Sequence, residues 1–82
     1  MKIGLDVGGT NLRAALINKH SILKKEQEQC PADGSLQDVV DALCSIIDKL
    51  FDENIESIGV GIPSVVDSDS GIVYNTANIP SW

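Results

Sequence analysis

No apolar run in the 82-residue chain approaches the roughly 20 residues that a helix needs to cross a bilayer. Asp6, Gly8 and Gly9 also interrupt the N-terminal stretch before the apolar segment of a secretory leader can form. These absences argue against a membrane role and predict a cytoplasmic protein. Cysteine is scarce: Cys30 and Cys44 lie too far apart for a C-x-x-C site, and the lone His20 has no companion ligand nearby. Both thiols are therefore expected to be reduced and structural. Basic residues are few, six against twelve acidic, and Lys49 is the only one after residue 34. The net charge of −6 argues against nucleic-acid binding by a basic face, and the acidity reads as solvated surface. What remains is one small domain of 43 % hydrophobic residues, enough for a sheet and a helix around a modest core and too little for a two-domain enzyme.

Ile3, Leu5 and Val7 alternate with Lys2, Gly4 and Asp6, which predicts a strand with Asp6 off the core face. After Gly8-Gly9, residues 10–17 read as a second strand with Asn11 and Arg13 on one side. "NKHS" is a polar turn that exposes His20. "ILKKEQEQ" (22–29) is polar enough for a helix, but its short connection favours a third meander strand, at an edge guarded by Lys24 and Lys25. Ser35 then opens a helix, with Asp38 completing an S-x-x-D capping box and apolar residues from Leu36 to Phe51 at three- and four-residue steps. The helix is expected to end near Asn54. In "ESIGVGIPS", Ile58, Val60 and Ile62 alternate with Gly59 and Gly61, predicting a buried strand parallel to the first through a right-handed crossover. Glycine weakens a strand unless something must approach closely. The expected strand order is 3-2-1-4. "DSDSG" follows as a tight turn between two short extended pieces, with Asp67 its turn-forming carboxylate.

The stretch "GLDVGGTNLRAAL" joins two apolar runs through two glycines, and places an aspartate and an arginine beside the turn. Such a turn lets backbone N–H groups converge on an anionic phosphate. Asp6 suits the hydrated Mg²⁺ that accompanies nucleotide phosphates, and Arg13 suits a bidentate phosphate contact. An ordinary β-hairpin with an exposed Asp6 accounts for the same residues. Other phosphate signatures fail. No G-K-[ST] follows the glycines, and in "GVGIPS" Ser64 stands where a dinucleotide fingerprint needs its third glycine, with Pro63 at the helix start.

"DVGGTNLRAAL" resembles the first phosphate motif of sugar kinases of the ROK family, which share the ribonuclease-H-like ATPase fold with hexokinases and actin. "GVGIPSVVDSDSGIVYNTANIPSW" is similar to the same family's G-[IV]-G-x-P-G-x-V-D, G-x-V and N-[LI]-P-x-W motifs, in order. The resemblance spans the whole chain, whereas a complete member is several times longer. It therefore implies that residues 1–82 are the N-terminal, incomplete part of an α/β ATP-binding domain. The parent activity would be that of an ATP-dependent, glucokinase-like hexose kinase passing the γ-phosphoryl group to a sugar hydroxyl. In that setting Asp6 would assist the Mg²⁺–ATP complex, directly or through water, while Gly8, Gly9, Thr10, Asn11 and Arg13 would contact the phosphates. Ser64, Val65, Ala77 and Asn78 would line the pocket for a hexose or N-acyl hexosamine. Ser64 departs from the family's glycine after proline, which bears on local backbone shape and sugar fit. The family's catalytic Asn-Asp pair and its zinc motif belong to later sequence, so no catalytic residue is assigned here and the chain alone is expected to be inactive. The resemblance also implies a homodimeric full-length protein, and Trp82 is expected to pack against neighbouring chain.

Two other functions compete. Sugar-responsive repressors of the same family carry a DNA-binding helix-turn-helix before the phosphate motif, whereas Met1 lies only five residues ahead of Asp6. A small non-catalytic module could also use the hairpin to bind anions.

Overall fold

The computed structural model describes residues 1–62, 65–74 and 79–80. In chain order the elements are β1 (Lys2–Val7), β2 (Asn11–Asn18), β3 (Ser21–Gln29), α1 (Leu36–Leu50), β4 (Ser57–Gly61), β5 (Val65–Asp67) and β6 (Ile72–Tyr74). The first four strands form one sheet of order β3-β2-β1-β4, as the sequence predicts, and β5 and β6 pair as a separate hairpin. β1 pairs antiparallel with β2 and parallel with β4. No helix of the described residues is long and apolar enough to cross a membrane.

Alternation decides which side of the sheet is covered. Ile3, Leu5 and Val7 of β1 and Leu12, Ala14 and Leu16 of β2 are all buried, together with Val39, Ile46 and Leu50 of α1. Ile79, beyond the second hairpin, returns to the same core and is 2 % exposed. α1 begins where its capping chemistry requires. Asp38 N–H donates to Ser35 Oγ at 3.2 Å, and Ser35 N–H donates to Asp38 Oδ2 at 3.0 Å, so two N–H groups of the first turn are satisfied reciprocally.

The helix is shorter than the apolar spacing suggests, ending at Leu50 rather than near Asn54. Phe51 turns extended (ψ 138), and Asp52 Oδ1 accepts the Asn54 N–H at 2.8 Å. A side chain that bonds the backbone two residues on offers a turn in place of the next helical turn. Phe51 is left 66 % exposed instead of joining the core.

β3 is the edge strand that the sequence suggests, but its charges have a second task. Glu28 accepts from Lys49 Nζ at 2.6 Å and from Ser45 Oγ at 3.4 Å, both on α1. Lys24 Nζ donates to the Lys49 carbonyl at 3.1 Å, where a cation meets the negative end of the helix. The contact with Glu28 holds the Lys49 ammonium above its ordinary pKa. His20 lies exposed in the β2–β3 turn, where Lys19 adopts φ 56.

β4 departs from expectation. Its register sets Ile58 beside Ile3 and Val60 beside Leu5, on the helix side of the sheet. Yet α1 lies over β2 and β3, leaving Ile58 45 % and Val60 47 % exposed rather than buried. A crossover helix of this length covers two strands, and the far edge stays bare among the described residues. The two edges differ sharply: β3 carries Lys24, Lys25, Glu26 and Glu28, whereas Ser57–Gly61 has no charge, no proline and no bulge. Concentration-dependent association of the 82-residue chain through β4 is therefore expected in analytical ultracentrifugation, and Val60→Lys should reduce it. A wild-type chain that sediments as a monomer up to millimolar concentration would contradict this.

Candidate functional site

The site is built on the side of the sheet away from α1. Asp6 of β1 lies directly across from Arg13 of β2, and Arg13 lies across from Gln27 of β3. On its other flank Asp6 neighbours Gly61 of β4. A carboxylate, a guanidinium and a carboxamide thus stand in one row beside the β1–β2 turn. One step further from the turn the row reads Gly59, Gly4, Ala15 and Lys25. Gly59, Gly4 and Ala15 floor an open groove of about 740 Å³ that Lys25, Asp6 and Arg13 also line. Gly61 leaves the groove wall low beside Asp6, since a Cβ there would reach within 4.0 Å of Asp6 Oδ1.

The charges of this face are uncommitted. Asp6 and Arg13 are exposed and, although adjacent, take part in no ion pair among the described residues. Lys2, Arg13 and Lys25 project on this side with Asp6 as the accompanying carboxylate, so a chain of net charge −6 presents a cation-rich face here. Such a field favours anions.

The turn itself is tightly specified. Gly8 N–H donates to the Asn11 carbonyl at 3.0 Å, closing the hairpin, and a Cβ at Gly8 would sit 2.9 Å from that same oxygen. Gly8 is required for close approach of backbone to backbone. Its N–H is spent inside the turn, where it fixes the path of the backbone on either side. Gly9 and Thr10 have no backbone acceptor for their N–H groups among the described residues. Thr10 is tied from outside, because Cys30 N–H donates to its carbonyl at 2.8 Å. Burial of the Cys30 side chain raises its thiol pKa, as befits an inert structural cysteine.

The structure therefore brings Asp6, Gly8, Gly9, Thr10, Asn11 and Arg13 together at one end of the sheet. Of the residues expected at a sugar pocket, Ser64, Ala77 and Asn78 lie outside the described residues, as does Trp82. The backbone of Val65 is described and pairs with Tyr74 in the second hairpin. Asp67 is a turn former, as expected: its Oδ1 accepts from Asp69 N–H at 3.0 Å and from Ser70 N–H at 3.4 Å. Gly71 closes that turn at φ 72, a left-handed conformation that favours glycine. Sequence reasoning missed Gln27, whose Nε2 donates to Asn11 Oδ1 at 3.4 Å. Only the β2–β3 register reveals it, and a bulge between Leu16 and Ile17 shifts that register.

The sequence matches the ROK family over residues 2–82. The chain belongs to the ROK family. It is 32 % identical over 82 residues to a glucokinase of Thermotoga maritima, covering 98 % of this chain and 26 % of that one. It is also 29 % identical over 84 residues to an N-acetyl-D-glucosamine kinase of Salmonella heidelberg, covering 99 % of this chain and 27 % of the relative. In three dimensions it is similar to a ROK family glucokinase from Streptomyces griseus, solved in complex with glucose and AMPPNP. That match has a TM-score of 0.82 and 28 % identity, and covers 95 % of this chain and 25 % of that one. The chain thus spans about a quarter of the length of the relatives it matches. The ROK sheet seen here, with order β3-β2-β1-β4 and one crossover helix, is part of the ribonuclease-H-like fold of the actin and hexokinase ATPases.

Two measurements check this geometry. Gly8→Ala should destabilise the chain by about 1–3 kcal/mol in urea unfolding, because backbone must move to admit the new methyl group. Hydrogen bonds from Asp69 and Ser70 lower the Asp67 pKa. The stability they contribute is full above the unfolded carboxylate pKa of about 3.9 and is lost as pH falls through the lower folded value. Asp67→Asn should accordingly lower stability slightly at neutral pH and flatten the acid limb of a thermal-unfolding pH profile, with the two proteins converging at low pH.

Proposed function

We propose that this chain supplies the phosphate-binding part of the ATP site of a ROK sugar kinase, a phosphotransferase acting on a hexose or N-acyl hexosamine. The observation that carries the reading is the pairing of Asp6 with Arg13 beside the glycine turn, exposed and unengaged among the described residues. The kinase relatives, and the bound AMPPNP of the Streptomyces griseus glucokinase, support it.

Each residue has a task that its chemistry suits. Arg13 is a permanent cation with a fork that matches phosphate oxygens. Gly9 and Thr10 offer N–H groups from a turn without bulky side chains, and Asn11 offers a carboxamide. Gly8 holds the turn. A hydrated Mg²⁺ needs an accessible carboxylate with room for water, and Asp6 fits, being exposed beside the bare Gly61. When bound, Mg²⁺ would neutralise charge on the phosphates of ATP. Ser64, Val65, Ala77 and Asn78 are assigned to the sugar side of the site. The general base and any zinc site belong to other parts of the kinase, so residues 1–82 alone should phosphorylate no sugar. We assign the complete protein to the cytoplasm and expect it to form a homodimer.

The test is ATP-dependent phosphorylation of glucose and of N-acetylglucosamine by the intact protein, with an Asp6→Asn variant alongside. Asp6 lies outside the core, so the variant should keep its circular dichroism spectrum and unfolding midpoint. Its kcat should fall by roughly 10²-fold or more, the usual scale for losing an electrostatic contact at a reacting phosphate. Normal turnover by Asp6→Asn, or absence of sugar phosphorylation by the wild type, would overturn the reading.

A further inference from the structure

The two sides of β3 differ in a way that the fold does not require. Facing α1, Glu26 and Glu28 are carboxylates, each with a lysine partner. On its other face the same strand carries Lys25, Gln27 and Gln29, with amides in place of acids, and Lys25 and Gln27 line the groove. Gln27 stands directly across from Arg13, and its Nε2 donates to Asn11 Oδ1 at 3.4 Å. A carboxamide has an acceptor end and a donor end. Engaging the Asn11 oxygen with Gln27 leaves Nδ2, with its two N–H donors, without an acceptor among the described residues.

We infer that Gln27 is a positioning residue for the phosphate site: it holds the Asn11 carboxamide with its donors available to an anion and adds no second carboxylate beside Arg13, which already faces Asp6. The inference rests on the proposed phosphate-binding role of Asn11 and deepens it. A glutamate at position 27 has nearly the same shape and the opposite consequence. It accepts where glutamine donates, so it selects the flipped Asn11 amide and turns Oδ1 toward the phosphate. It also places a carboxylate across from Arg13, in competition with the ligand.

The experiment measures Mg·ATP and AMPPNP binding to the intact protein by calorimetry, with KM for sugar and kcat in parallel. Gln27→Ala should raise the Kd for ATP roughly fivefold, the value of one net hydrogen bond. Gln27→Glu should raise it roughly tenfold or more, and KM for sugar should not move. A double-mutant cycle gives the decisive readout: in an Asn11→Ala background, Gln27→Ala should have no further effect. Equal losses in both backgrounds would show that Gln27 does not act through Asn11 and would overturn the inference. Weakened ATP binding by Asn11→Ala with none by Gln27→Ala or Gln27→Glu would overturn the inference alone. ATP binding indifferent to Asn11→Ala, Arg13→Ala and Asp6→Asn together would instead remove the proposed function and this inference with it. Should Gln27→Ala fail to fold, Gln27→Met, of similar length and with neither the amide donor nor a charge, carries the same comparison.

Discussion

The antiparallel register of β1 on β2 is the constraint from which the remaining features follow. Because successive side chains leave a strand on opposite faces, Val7 pairing with Leu12 sends Ile3, Leu5, Val7, Leu12, Ala14 and Leu16 into the core together. The same pairing sends Asp6 and Arg13 to the opposite face, side by side. A slip of one residue would exchange the two sets, exposing the core and burying a carboxylate beside a guanidinium. The Gly8 N–H to Asn11 carbonyl bond closes the turn that holds this register, and no other residue fits the 2.9 Å approach at Gly8 without backbone movement. Core formation and assembly of the anion-facing row are therefore one event.

Charge is sorted by the sheet. On the helix side, lysines and glutamates of β3 and α1 neutralise one another: Lys24 with Glu26, Lys49 with Glu28. These contacts are exposed and each is worth little in stability, but they use up the carboxylates of β3. The groove side is left with cations, amides and the single row acid Asp6. An acidic chain can thus present a local surface suited to a phosphate ester, because the sign of a whole molecule does not determine the sign of one face.

The covering of the sheet is uneven, and the relatives put this in context. α1 shields β2 and β3, while the apolar side chains of β4 remain half exposed and the groove stays open. A chain that spans about a quarter of its kinase relatives has every residue of the glycine-turn motif in place without a complete cover for its sheet among the described residues. The motif lies at a strand end, where β1–β2 pairing and the ties from Gln27 and Cys30 hold it without a cover over β4.

Much of this was determined by local patterns. Period-two alternation in β1 and β2, the Ser35–Asp38 box and the two-glycine turn are short-range features whose geometry is set by a few neighbouring residues, and the structure carries them as the sequence implies. The motif residues Asp6 to Arg13 were legible for the same reason, as was the Asp67 turn. Other features depend on pairing partners distant in sequence. The burial of β4 was misjudged because alternation shows which side chains share a face, whereas exposure depends on where a helix some ten residues away comes to rest. The end of α1 was misplaced because apolar spacing continues to Phe51 while Asp52 diverts the backbone. The bond from Gly8 N–H to the Asn11 carbonyl was silent too, since only the closed turn brings the two groups near. Gln27 was silent, since its contact with Asn11 spans sixteen residues and passes through a register that a bulge resets. Local sequence determined the strands, the helix start and the motif, because those are held by bonds between near neighbours. The tertiary structure alone decided what each face meets, because burial and cross-strand contact belong to pairs that the chain order does not place together.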